Sequence, residues 1–124
     1  MVTEMSEPLT FPKSLRLRTP GEFSAVYASG VFEADKTLVI NLKANPEQRS
    51  RMGLSIPKKT GNSPIRNLWK RYCREAFRTQ QHNLPKGIDF VIRPRKGASP
   101  NAEAIKKSLA NLLAKGQRKL EKQR

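Results

Sequence analysis

A basic loop and an amphipathic helix stand out within residues 51–75, which read RMGLSIPKKTGNSPIRNLWKRYCRE. Alternating apolar residues predict a strand over Arg51–Pro57, and the lysine pair that follows predicts a loop. Ser63 can cap a helix whose first position is Pro64, since proline fits the first helical turn. We therefore predict a helix that begins at Pro64 and ends near Gln80.

This helix is apolar on one side and cationic on the other when its residues are placed at about 100° intervals. The apolar side comprises Ile65, Leu68, Trp69, Tyr72 and Ala76. The cationic side comprises Arg66, Lys70, Arg71, Arg74 and Arg78. Only Glu75 lies nearby to offset these charges, and cations four residues apart repel each other. The pattern predicts a phosphate-binding surface, which Lys58 and Lys59 extend; a face that is merely solvated is the alternative, although such faces usually mix charges.

The sequence outside this region predicts two further helices and three further strands. One helix begins at Pro20 and ends before Gly30, and the last begins at Ser99-Pro100 and ends at Gly116. The further strands are predicted over Val31–Asp35, Thr37–Lys43 and Asp89–Arg93. The resulting order, α-β-β-β-α-β-α, is typical of an α+β fold with a four-stranded sheet.

The chain of 124 residues has the size of one domain. Residues 1–12 are predicted to form a disordered leader, because they contain two prolines and differ in charge from the rest. Residues 13–116 are predicted to form a single domain. Residues 117–124 are predicted to form a frayed basic tail.

The charge balance predicts a polyanionic partner. Lys and Arg number 25 against 10 Asp and Glu, for a net charge of +15. A nucleic acid or an anionic membrane would offset this charge. The apolar residues of the central helix are needed to cover the strands, which favours nucleic acid. The longest apolar stretch, Thr37–Leu42, is too short to span a bilayer, and no secretory signal is visible.

Few residues are available for catalysis or metal binding. The single cysteine excludes an internal disulfide and suits a reducing compartment. Cys73 lies within the helical pattern and is predicted to be a small buried apolar residue, and His82 a solvated residue near a helix end. One His and one Cys are too few for a zinc site. We therefore predict neither catalytic residues nor a bound metal in the protein.

The loop and helix resemble the signature of the bacterial ribonuclease P protein component. The matching residues are Lys58, Lys59, Gly61, Asn62, Arg66, Asn67, Lys70, Arg71, Arg74 and Glu75. The first helix also matches the family pattern, through Phe23, Val26, Tyr27 and Gly30. The sequence departs from the signature at Leu68, where the family has Arg, and at Pro57, where it has Ser. The similarity covers roughly residues 13–115.

The resemblance implies a fold similar to a domain of some ribosomal proteins, with a strand–helix–strand crossover of left hand. It implies a cytoplasmic subunit that assists an endoribonuclease. In such an enzyme a catalytic RNA with bound Mg²⁺ removes the 5′ leader of precursor tRNA. The implied partners are the ribonuclease P RNA and precursor tRNA, with no membrane and no obligate protein partner. No cofactor is expected on the protein itself.

The resemblance also implies two RNA-binding surfaces on the single domain. The surface for the catalytic RNA comprises Lys58, Lys59, Asn62, Arg66, Asn67, Lys70, Arg71 and Arg74. A cleft between the first helix and the sheet would bind the tRNA leader through Phe23, Tyr27, Arg16 and Arg18. The family often has an aromatic residue in this cleft where the present chain has Asn41. Core packing is the alternative role for Phe23 and Tyr27.

Two other classes of protein share some of these features. A structural protein of the ribosome would share the charge and the type of fold. A nuclease that acts without RNA would need acidic residues at an active site, and the 10 acidic residues are scattered along the chain.

Overall fold

The computed structural model describes residues 13–123, which form three α-helices and a four-stranded sheet. The elements are a 3-10 helix Lys13–Leu15, α1 Pro20–Ala28, β1 Val31–Ala34, β2 Leu38–Ala44, β3 Arg51–Leu54, a 3-10 turn Lys58–Thr60, α2 Ser63–Gln80, β4 Ile88–Pro94 and α3 Ala102–Lys122. The predicted α+β order of helices and strands is confirmed. The leader predicted for residues 1–12 lies outside the described residues.

The sheet has the strand order β1-β2-β4-β3. Strand β2 pairs antiparallel with β1 and with β4, whereas β3 pairs parallel with β4. Parallel neighbours need a crossover connection, which here is α2. The sheet is therefore mixed, and β3, α2 and β4 form the strand–helix–strand unit implied by the resemblance.

The two faces of the sheet carry different helices. Helices α2 and α3 cover one face and form the main core with it, in which Trp69, Phe90 and Leu109 are fully buried. Helix α1 packs on the other face, where Val26 and Val91 belong to a smaller cluster. The surface of α2 and the surface beside α1 therefore face in opposite directions.

The buried side of α2 differs from the predicted apolar side. Cys73 and Phe77 are buried with Trp69 and Ala76, whereas Ile65 is 37% exposed and Leu68 and Tyr72 are half-buried. The middle and last turns of α2 pack on the sheet. The rings of Phe77 and Phe90 are in edge-to-face contact, with 5.6 Å between their centroids. The first turn instead lies against the preceding loop, because the Ile65 side chain covers Gly61.

Side-chain caps fix where the helices begin. Asn62, and not the predicted Ser63, caps α2, and its side chain accepts a hydrogen bond from the N–H of Ile65 at 3.1 Å. Asn101 caps α3 in the same way through the N–H of Ala104 at 2.9 Å. Both residues have the short oxygen-bearing side chain that reaches the third N–H of a helix.

The predicted end of the last helix at Gly116 is wrong, since α3 continues to Lys122. Leu120 is buried, so the part of the predicted tail up to Lys122 is helical and packs against the domain through this residue, while Arg124 lies outside the described residues. Gly116 faces Leu42 of β2 so closely that a Cβ atom there would overlap the leucine side chain. This glycine therefore serves close packing of the helix on the sheet rather than helix termination.

Replacing Gly116 by alanine should lower the free energy of unfolding by about 1–2 kcal/mol. The overlap with the fully buried Leu42 outweighs the gain of about 1 kcal/mol in helix propensity. Urea denaturation measures the change. Gln117→Ala is the control, because Gln117 lies next to Gly116 and is only half-buried. A more stable Gly116→Ala protein would contradict the close packing.

Candidate nucleic-acid interface

The outer side of α2 carries an exposed group of cations. Arg71, Arg74 and Asn67 are exposed, and Lys70 is half-exposed. They lie on the helix away from the buried Trp69. The guanidinium carbon of Arg71 lies 5.4 Å from the centroid of the Tyr72 ring, a distance that allows a cation–π contact. Helix geometry thus places the predicted cations of α2 on its solvent-facing side.

Arg66 has a different placement, because its side chain folds back over the loop before α2. Its Nε donates to the carbonyl of Gly61 at 3.2 Å and its Nη2 donates to the hydroxyl of Ser63 at 3.1 Å. These two bonds use two of the five N–H donors of a guanidinium. Arg66 is therefore held at the start of α2 with donors left for a ligand.

Glu75 neutralises Arg78, the last cation on the cationic side of α2. Arg78 donates to both carboxylate oxygens of Glu75, at 2.7 and 3.1 Å. These hydrogen bonds lower the pKa of Glu75 below its usual value. The effective positive surface of α2 therefore runs from its first turn to Arg74.

A groove lies next to the exposed Lys58 and Lys59 of the 3-10 turn. It has a volume of about 690 Å³ and lies between this turn and the end of β4. Its cationic lining comprises Lys59, Arg93, Arg95 and Lys96. The last three were not among the predicted site residues. The run of cations that begins at Arg93 in β4 and continues with Arg95 and Lys96 is the sequence signal that could have identified them.

The predicted leader cleft is an open part of the sheet beside α1. The first turn of α1 contacts β3 through Glu22 and Arg51, and Ser29, which caps the end of α1, donates to the carbonyl of Leu42 on β2. Helix α1 therefore crosses the face of the sheet and leaves the neighbouring part of that face uncovered.

Two predicted aromatic residues lie on α1, one turn apart. Phe23 is half-buried against Leu17 and Val91 and lies directly over β3, where a Cβ atom at Gly53 would come within 2.8 Å of its ring. Tyr27 is 39% exposed. Phe23 thus packs in the small cluster and is partly exposed, whereas Tyr27 is more exposed.

A third aromatic residue, Phe32 on β1, was missed by the sequence analysis. Phe32 pairs with Asn41 across the strands, and Asn41 pairs with Val91, which in turn pairs with Gly53. This row runs across the face that α1 shares, and Phe32 is 53% exposed. Its position depends on strand register, so only the alternation of β1 could have identified it.

The predicted cations Arg16 and Arg18 lie at the outer edge of β3. Leu17 between them donates its N–H to the carbonyl of Met52 at 3.0 Å and packs in the cluster that contains Phe23. Arg16 and Arg18 are both exposed. The structure therefore places them next to the end of the cleft that Phe23 occupies.

An ion-pair cluster fixes α1 on the sheet. Arg51 binds Asp89 through two hydrogen bonds, Nη2 to Oδ2 at 2.7 Å and Nε to Oδ1 at 3.0 Å, and it binds Glu22 at 2.9 Å. Glu22 also accepts from the backbone N–H groups of Arg18 and Thr19. These backbone bonds, together with Arg51, lower the pKa of Glu22 from 4.5 to about 2. Sequence spacing gives no signal for this cluster, because its members lie in different elements.

Within residues 13–123, the environments of the single cysteine and the single histidine match the predictions from sequence. Burial raises the pKa of the Cys73 thiol to about 12, so this side chain is the inert apolar residue that the sequence predicts. His82 is exposed in the turn after α2, also as predicted. No helix within residues 13–123 is long and apolar enough to cross a membrane.

Comparison with known proteins relates this fold and sequence to a single family. The model of the family described as Ribonuclease P matches residues 11–117. The ribonuclease P protein component of Petrotoga mobilis is 40% identical over 116 residues, which cover 93% of this chain and 98% of that protein. That of Brevibacillus brevis is 36% identical over 103 residues, or 82% of each chain.

Solved structures give the same result. The ribonuclease P protein of Thermotoga maritima superposes with a TM-score of 0.74 at 31% identity, covering 81% of this chain and 96% of that one. A mutant ribonuclease P protein of Staphylococcus aureus, described as defective in mRNA degradation, has a TM-score of 0.76 at 28% identity, covering 85% and 90%. Since the family model spans most of the chain and the relatives align over nearly their full lengths, the chain belongs to the bacterial ribonuclease P protein family.

Proposed function

We propose that this protein binds the catalytic RNA of ribonuclease P through α2 and the 5′ leader of precursor tRNA through the cleft beside α1. The observation that carries the proposal is the division of the domain into two RNA-compatible surfaces on opposite faces of one sheet. One surface is a row of exposed cations, and the other combines aromatic side chains with cations.

The α2 surface suits the backbone of a folded RNA. Arginine forks match phosphate oxygens, and the N-terminal end of a helix adds a positive dipole. Lys58, Lys59, Asn62 and Arg66 are grouped around that end of α2, and Asn67, Lys70, Arg71 and Arg74 continue along the helix. This arrangement supports contacts to phosphates rather than to base edges.

The cleft suits a single strand. Unpaired bases bind proteins by stacking on aromatic side chains while cations hold the backbone. Tyr27 and Phe32 are exposed aromatic residues, Phe23 is partly exposed, and Arg16 and Arg18 lie at one end. At the other side of the open face, Arg93 donates to Asn41 at 3.4 Å. Asn41 occupies the position where the family often has an aromatic residue.

The chemical step is assigned to the RNA. The RNA, with its bound divalent ions, would supply the hydrolysis of the bond between leader and mature tRNA. The protein supplies positive charge, which lowers the amount of magnesium needed for folding and binding, and it adds affinity for the leader. Neither a bound cofactor nor a further protein is needed for this role, which belongs in the bacterial cytoplasm.

Replacing Tyr27 by alanine should weaken binding of precursor tRNA by the holoenzyme by about 5- to 150-fold, since one stacked base contributes about 1–3 kcal/mol. Binding of mature tRNA should not change, because mature tRNA has no leader. Phe32→Ala should have the same selectivity, and Phe23→Ala should combine it with a loss of stability. Filter binding of both RNAs measures the ratio of the affinity for precursor tRNA to that for mature tRNA.

The matched control for these variants is Ile65→Ala, which removes an exposed apolar side chain outside the cleft. It should leave the ratio of precursor to mature affinity unchanged. An equal loss of affinity for both RNAs in Tyr27→Ala would exclude a leader-binding role for the cleft. Co-sedimentation of the protein with ribosomal subunits at high salt would instead support a ribosomal role.

A further inference from the structure

Helix α3 carries a second row of cations, which we call the α3 ridge. At 3.6 residues per turn its members fall within about 80° of each other and span about 22 Å of the helix. The members of the α3 ridge are Lys107, Lys115, Arg118 and Lys122. All four are exposed, and none forms an ion pair or side-chain hydrogen bond with the residues between 13 and 123, although the charge of Lys115 is near enough to Asp35 to help lower the pKa of that carboxylate.

The packing of α3 fixes the direction in which the ridge faces. Gly116 lies against Leu42, and Ser108 donates to the carboxylate of Asp35 at 2.6 Å, so the inner side of the helix is attached to the sheet. On one flank Lys119 reaches β1, where it binds Glu33 at 2.9 Å. On the other flank the Lys106 carbonyl accepts from Gln80 of α2. The ridge lies between these flanks and faces solvent.

The arrangement costs stability unless a polyanion offsets it. Lys115, Arg118 and Lys122 follow at spacings of three and four residues, at which like charges repel on a helix. The two acidic residues of α3, Glu103 and Glu121, lie four residues from Lys107 and three from Arg118, a spacing at which opposite charges attract, but neither forms an ion pair within residues 13–123. A membrane surface would also require exposed apolar residues on this helix. The large apolar residues exposed in the described part are Tyr27, Phe32 and Ile65, and none belongs to α3.

We propose that the α3 ridge binds the phosphate backbone of a helical segment of the same catalytic RNA that the α2 surface binds. This inference rests on the proposed function. Helices α2 and α3 lie on the same face of the sheet, whereas the cleft for the leader lies on the opposite face. An RNA bound along α2 can therefore continue over α3, which the leader cannot.

A shallow hollow beside the ridge adds further donors. It has a volume of about 610 Å³ and lies between the β1–β2 turn and α3. Lys36, Lys107 and Asn111 line it and can reach phosphate or ribose oxygens. Asp35 also lines it, and its carboxylate accepts hydrogen bonds from Ser108 and from the N–H groups of Thr37 and Leu38. The footprint of the proposed contact therefore extends from the C-terminal end of α3 to the β1–β2 turn.

The test compares two double variants that remove the same charge. Lys115→Gln/Arg118→Gln removes two ridge cations, and Arg49→Gln/Lys86→Gln removes two exposed cations elsewhere. Glutamine preserves helix propensity. For each protein, the affinity for the catalytic RNA is measured at several salt concentrations. The ridge variant should lower the slope of log K against log salt by about 1.4–1.8, at about 0.7–0.9 per phosphate contact. The control should leave it unchanged.

Hydroxyl-radical footprinting of the bound RNA locates the contact. The ridge variant should lose protection of a segment that Arg74→Gln leaves protected. Equal slopes for the ridge variant and the control would overturn the inference. If Arg74→Gln lowers the slope and the ridge variant does not, only the ridge assignment fails; if wild-type protein does not bind the catalytic RNA, the proposed function fails as well.

The same binding measurements would reveal two other partners of the α3 ridge. A loss of affinity confined to precursor tRNA would assign the ridge to the substrate and overturn the inference. A loss of adsorption to phosphatidylglycerol vesicles with unchanged binding of the catalytic RNA would assign it to a membrane surface. Thermal unfolding of both double variants checks that the fold is intact, since all of the substituted side chains are exposed.

Discussion

Replacement of Arg51 by methionine should lower the free energy of unfolding by about 3–4 kcal/mol, since removal of one partner leaves a buried charge unpaired. Asp89 is 6% exposed, and its carboxylate is held by two hydrogen bonds from Arg51. Asn45 alone would continue to donate to it, at 2.8 Å. Urea denaturation at neutral pH measures the change.

Glu22→Gln distinguishes the contribution of the Arg51–Glu22 ion pair from that of the Arg51–Asp89 ion pair. It keeps the Arg51–Asp89 pair and removes only the charge that Arg51 and the backbone of α1 bind, so the loss should be about 1–2 kcal/mol. The pKa of Glu22 is lowered from 4.5 to about 2 in the folded protein. Its contribution is therefore complete above about pH 4.5 and is lost as the pH falls towards 2. The variant should flatten the stability profile in that range.

Equal losses from the two variants would contradict this account of the cluster, because Glu22 is partly exposed and Asp89 is buried. The change in the position of α1 should also affect RNA binding. Since the cluster fixes the first turn of α1 over β3, the Arg51 variant should also weaken discrimination between precursor and mature tRNA.

Removal of two exposed cations from α2, in the variant Arg71→Gln/Arg74→Gln, should weaken binding of the catalytic RNA by about 50-fold at 0.1 M salt. The slope of log K against log salt should fall by about 1.4–1.8, since each lost phosphate contact contributes about 0.7–0.9. Arg66→Ala alone should lower the slope by about one unit. Affinity is measured by filter binding over a range of salt concentrations.

The control Arg49→Gln/Lys86→Gln removes the same charge from a different part of the surface. It should shift affinity slightly and leave the slope unchanged. An identical slope in the α2 variant and the control would mean that α2 contributes only general charge. A loss of leader discrimination in the α2 variant would contradict the separation of the two surfaces.

The sequence predicted the elements better than their arrangement. Alternation and helix signals placed β2 and α2 within one residue of their observed starts. The pairing of β4 between β2 and β3 depends on contacts between distant segments, and local patterns do not report these. The same reason explains the end of α3, where Gly116 has the usual signature of a helix stop and instead serves close contact with Leu42.

The candidate site likewise contains residues that local spacing predicts and residues that it does not. Arg71 and Arg74 are exposed as predicted, because three-residue spacing places them on one helix face. Phe32 was missed because its place beside the cleft follows from its register with Asn41. The Arg51 cluster joins α1, β3 and β4, so no spacing rule predicts it.

Reconstitution of cleavage tests the central claim most directly. Purified protein is mixed with a bacterial ribonuclease P RNA and labelled precursor tRNA, at a magnesium concentration too low for the RNA alone. We expect cleavage at the mature 5′ end only when protein and RNA are both present. Folded protein that gives no stimulation with a cognate RNA, or that cleaves precursor tRNA without the RNA, would contradict the proposed role.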